Sequence, residues 1–77
     1  MDYAAQKAAA AAKRKKEKQI ADTEAEIARL EELQTQIEEE LSLPEKQTTE
    51  NFQRYESVKH QIEQKMYEWE LLSEELE

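Results

Sequence analysis

The sequence predicts an all-α protein: a two-helix antiparallel coiled-coil hairpin with an N-terminal helical overhang. Three observations predict it. Glycine and cysteine are absent, and Pro44 is the one proline; without glycine, tight β-hairpin turns lose the residue they most often need. Charged residues make up 39% of the chain, and Ala, Glu, Lys, Leu and Gln dominate, which is the composition of long helices and coiled coils. Finally, apolar residues recur at heptad spacing on both sides of the proline.

The first heptad pattern begins at Ile20. Ile20, Ile27, Gln34 and Leu41 are seven apart, and Thr23, Leu30 and Ile37 follow the first three of them by three. This is an a/d seam on one helix face, widened by Leu33 and interrupted by the polar Gln34. The pattern breaks at LSLPEKQTTEN, residues 41–51. Proline cannot occupy a helix interior, and it pushes Leu43 out of helical geometry. A helix end is therefore expected near Leu41 or Ser42. Ser42 and Glu45 have capping-box spacing, and Thr48 or Thr49 could cap a later start.

The second pattern repeats the first. Tyr55, Ile62, Trp69 and Leu76 are seven apart, Val58, Lys65 and Leu72 follow three later, and Phe52, Lys59 and Met66 flank them. Two long helices on a short polar link fold back on each other. Matching the seams pairs Leu41 with Phe52, Ile37 with Tyr55, Leu30 with Ile62, Ile27 with Met66 and Ile20 with Leu72. The same register sets Leu76 opposite Lys16, so everything before Lys16 has no partner in the chain. Extending the first seam backwards places Lys13, Ala9 and Gln6 on it, where it stops being hydrophobic. Residues 1–19 thus form a basic, Ala/Lys-rich helical overhang or linker, and residues 20–77 the hairpin, with a helix at about 20–41, a link at about 42–49 and a helix at about 50–76.

Charge divides at the same boundary. Residues 1–19 carry six Lys/Arg against two acids, a net of +4; residues 20–77 carry five against seventeen, a net of −12; together they give the formal −8. Such asymmetry marks a candidate interaction segment. Its bases are Lys7, Lys13, Arg14, Lys15, Lys16 and Lys18. Residues 13–16 point nearly all round a helix, whereas Lys7, Arg14 and Lys18 fall within ~20° of one line. A helix of this kind could lie along a phosphate backbone without reading bases. A solvated linker is the bland alternative.

Catalysis finds little support. His60, the only histidine, has Ser57 three residues before it, where a di-metal bundle site would need Glu. Gly-rich phosphate loops are excluded by the absence of glycine, and no cofactor or metal is expected. Trp69 belongs to its heptad seam rather than to a base-stacking platform. The run from Glu38 to Glu40 opposes the helix dipole. No stretch is long and apolar enough to span a bilayer, and the N-terminus lacks a secretory h-region, so a soluble chain without a membrane partner is expected.

The basic approach to IADTEAEIARLEELQTQIEEEL, the proline link and the closing RYESVKHQIEQKMYEWELLSEELE resemble the C-terminal coiled-coil domain of ABC-F ATPases. The segment from Tyr67 to Leu76 is most similar to that family's aromatic-plus-Trp-Glu ending. The resemblance implies a cytoplasmic, non-enzymatic fragment of a protein with two ATP-binding cassettes upstream and no membrane domain. It further implies contact with the ribosome, ribosomal RNA or DNA, in a family that modulates translation. The six bases match the family's basic approach in character. A monomer is expected; the alternatives are a purely structural or protein-interaction coiled coil, and two chains paired through exposed seams.

Overall fold

The computed structural model describes residues 2–76. They form α1 (Tyr3–Leu41), a short 3-10 turn (Pro44–Lys46) and α2 (Thr49–Glu74). The two helices lie against each other in a rod of 68 × 16 × 14 Å. Its radius of gyration is 18.6 Å, well above the ~11 Å of a compact domain of this length. Among the described residues no helix is long and apolar enough to cross a membrane.

Each boundary has a local cause. Asp2 caps α1, its carboxylate accepting from the Ala4 N–H at 3.1 Å. Ala, Lys and Arg then carry the helix, since all three lose little entropy in helical geometry. At the other end the Ser42 N–H donates to the Glu38 and Glu39 carbonyls at 3.1 and 3.3 Å. Pro44 opens the 3-10 turn, where its missing N–H is harmless. Thr48 caps α2, its hydroxyl accepting from the Asn51 N–H at 3.2 Å. The Ser42 hydroxyl instead donates backwards to the Glu39 carbonyl at 2.6 Å, so Thr48 is the cap that starts α2.

Side chains close the link. The Gln47 amide donates to the Leu41 carbonyl at 3.0 Å, and the Asn51 amide to the Lys46 carbonyl at 2.8 Å. Arg54 donates to Glu40 at 3.0 Å and to the Asn51 side-chain oxygen at 3.1 Å. The last turn of α1 holds no base of its own. Arg54 therefore brings from α2 the positive charge that the C-terminal dipole and the acidic run both favour.

The core is a single apolar seam near the link. Leu30, Ile37, Val58 and Ile62 are buried, with Leu33, Leu41 and Tyr55 packed against them. Burial is deepest at Ile37 and Leu30, 1% and 2% exposed. Further from the link the seam mixes the half-buried Ile27, Ile20 and Leu72 with a polar residue. Thr23 is buried, and its hydroxyl is satisfied by the Gln19 carbonyl at 2.8 Å. Contacts between the two helices fix the register: the Trp69 indole N–H donates to Glu24 at 3.2 Å, and Lys16 pairs with Glu75.

Three seam assignments from the sequence are corrected. Phe52 and Met66 are 50% and 43% exposed rather than packed against Leu41 and Ile27. One residue is ~100° of helical rotation, and the preceding residues, Asn51 and Lys65, are the half-buried ones. Leu76 is 37% exposed, because α2 ends at Glu74 and does not carry it into the seam.

Two predictions follow from this packing. Leu30→Ala or Ile37→Ala should destabilise the hairpin by ~2–5 kcal/mol, against less than ~1 kcal/mol for Phe52→Ala or Met66→Ala, measured by urea unfolding followed by circular dichroism. Thr48→Ala should cost about 1 kcal/mol in the same assay, while Ser42→Ala should cost distinctly less.

Candidate nucleic-acid interface

All six bases singled out in the sequence lie on the N-terminal half of α1. Five of them, Lys7, Lys13, Arg14, Lys15 and Lys18, are exposed, and Lys16 is half-buried. They are held by one continuous helix rather than by a pocket. Helical geometry sets Lys7, Arg14 and Lys18 along one line and turns Lys13 and Lys15 away from it.

The bases differ in their partners. Lys16 reaches across to Glu75 at the end of α2. Lys18 donates to Asp22 one turn on at 2.8 Å, and that hydrogen bond, then the charge behind it, raises its ammonium above the ordinary value. Lys7, Lys13, Arg14 and Lys15 have no ion pair among the described residues. The Lys18–Asp22 pair has an i,i+4 spacing visible in the sequence; the register set Lys16 opposite Leu76, the neighbour of its partner Glu75.

Where α2 ends, Ala12, Lys13, Lys16, Glu75 and Leu76 line an open groove of about 390 Å³. Beyond it α1 continues alone to Tyr3, a stretch of ~14 Å at 1.5 Å per residue. Arg29, farther along α1, binds Glu26 through two nitrogens, one of them 3.1 Å from its oxygen. This pairing raises the guanidinium and lowers the Glu26 carboxyl. Arg29 is thereby committed within the hairpin.

The other candidate groups take structural positions. Trp69 is half-buried and its indole N–H is tied to Glu24 across the hairpin, a structural position on the seam. His60 is exposed on α2. Among the described residues no group of three or more His, Cys, Asp or Glu is placed to hold a metal ion. Comparison with family models, with curated proteins and with solved structures returns no match for this chain.

A helix without tertiary partners keeps little protection. In the single chain at high salt, backbone amides of residues 6–13 should exchange with deuterium at least ~10-fold faster than those of residues 27–37, as read by hydrogen-exchange mass spectrometry or NMR. Uniform protection along α1 would show that the overhang is covered.

Proposed function

We propose that this chain is a non-catalytic accessory coiled coil that holds RNA or DNA by its phosphates through the basic overhang. The observation that supports this most is the set of four bases, Lys7, Lys13, Arg14 and Lys15, exposed and without ion partners among the described residues on a helix that α2 does not cover. Lysine and arginine placed this way neutralise phosphates and release counterions, with no geometry for reading base edges. The acidic hairpin would be repelled by the same polyanion, so contact is confined to the overhang and the hairpin projects away from it.

The resemblance to the ABC-F C-terminal domain gives this reading its setting. In that setting the hairpin is carried in the cytoplasm by upstream ATP-binding cassettes, and ribosomal RNA is the nearest phosphate backbone. The competing reading is a structural or protein-interaction coiled coil in which the bases only keep a linker solvated. Lys16 and Lys18 favour that second reading locally, since both are already satisfied within the chain.

Titration with a short RNA duplex and a DNA duplex over a range of salt separates the two. Binding should weaken with salt at ~0.9 in log–log slope per phosphate contact. Replacing Lys13, Arg14 and Lys15 together by Ala should flatten the slope by about two to three on that scale and abolish most of the affinity. Lys18→Ala should change it little. Salt-independent binding, or none at low salt, would overturn the proposal.

A further inference from the structure

We infer that a second copy of this chain covers the overhang, in an antiparallel dimer that sets the bases of each copy against a glutamate stripe on α2 of the other. The inference goes beyond the nucleic-acid reading and does not depend on it.

The stripe consists of Glu56, Glu63 and Glu70, seven apart, with Glu74 one turn further. All four are exposed, and none is in an ion pair among the described residues. On the overhang Lys7 and Arg14 are also seven apart, exposed and, among the described residues, unpaired. Heptad-spaced charges of opposite sign on two helices are what specifies partner and register in coiled coils.

The spacing matches along the whole stripe. The separation in sequence from Lys7 to Glu63 is the same as from Arg14 to Glu70 and from Lys18 to Glu74. A helix laid parallel to α2 therefore brings Lys7 and Arg14 level with Glu63 and Glu70 at once. Lys18 falls level with Glu74 but is already bonded to Asp22, so the first two pairs carry the register.

The topology supplies the parallel direction. Within one copy α1 and α2 run antiparallel, so a two-fold axis across the rod turns the second copy's α2 parallel to the first copy's overhang. The overhang cannot reach its own stripe, because it extends away from the end of α2. Two copies related by that axis satisfy both overhangs together, which closes the assembly as an isologous dimer. Net charges of +4 on residues 1–19 and −12 on residues 20–77 attract in this arrangement, whereas overhang-to-overhang pairing would repel.

Sedimentation equilibrium of the chain at low salt, without nucleic acid, tests the inference. The expected mass is twice 9.1 kDa at ~0.01 M salt, falling to one chain as the Debye length shrinks from ~30 Å to ~3 Å at 1 M. Lys7→Glu with Arg14→Glu should give a monomer, and so should Glu63→Lys with Glu70→Lys. An equimolar mixture of those two variants should recover the doubled mass, since both contacts are then complementary. The four substitutions in one chain should recover it as well, which guards against loss of folding in either variant. A monomer at all concentrations at low salt, or a mixture that stays monomeric, would overturn the inference; nucleic-acid binding is read separately and can fail or succeed on its own.

Discussion

Pro44 has no N–H to give a helix and excludes the preceding Leu43 from helical geometry, so α1 has to stop at Leu41 and the chain has to turn there. Everything else in the rod is measured from that turn. Once Thr48 restarts the helix, each seam residue of α1 has its opposite number on α2 fixed by distance from the link. Leu30 and Ile37 fall among Val58, Ile62 and Tyr55 for this reason. The same count exhausts α2 at Glu74 while α1 still has its first turns to run. The overhang is thus a direct consequence of where the proline sits.

Apolar burial peaks at Leu30 and Ile37 and falls off toward the open end of the rod. The four buried apolar residues lie in the half of the seam nearest the link. Past them come the buried but polar Thr23, the half-buried Lys65 and the indole of Trp69 held by a carboxylate. The last contact is an exposed ion pair between Lys16 and Glu75, of a kind worth ~0–1 kcal/mol. Stability is therefore graded along the rod. The open end is free to loosen without disturbing the core, and the basic segment hangs from that end.

Much of this was legible in the sequence, and the reasons for the remainder are physical. Heptad spacing and one proline were enough to place both helices, their direction and the Leu30–Ile62 register. Heptad spacing already put Lys65 on the seam, but hydrophobicity drew its neighbour Met66, and likewise Phe52 beside Asn51, into the pairing. At Asn51/Phe52 and Lys65/Met66 the polar member turned inward. Its polar head stays solvated or bonded, as in the Asn51 amide on Lys46 and the Lys65 ammonium 3.2 Å from Glu68, while the stem of Lys65 can line the seam. The link network of Gln47, Asn51 and Arg54 was also illegible, because it depends on the path of the 3-10 turn. For the basic segment, the i,i+4 spacing to Asp22 could set Lys18 apart on α1 alone, whereas Lys16 was set apart only once Glu75 stood beside it.

Charge placement on α1 is hard to explain by helix stability alone. Glu38, Glu39 and Glu40 crowd its negative end, and Lys13 and Lys16, Lys15 and Lys18, and Arg14 and Lys18 are like-charge neighbours on its surface, each pair unfavourable by ~0.2–0.5 kcal/mol. At the acidic end Arg54 crosses over from α2 and offsets the repulsion. At the basic end Glu75 and Asp22 do the same for Lys16 and Lys18. Lys7, Lys13, Arg14 and Lys15 are left without a counter-charge among the described residues, at the one place where α2 cannot supply it. An external row of anions would relieve that repulsion as Arg54 relieves the other, whether the row is phosphates or the glutamates of a second copy. Lys7 and Arg14 serve both arrangements, so phosphates and a second copy compete for those two side chains.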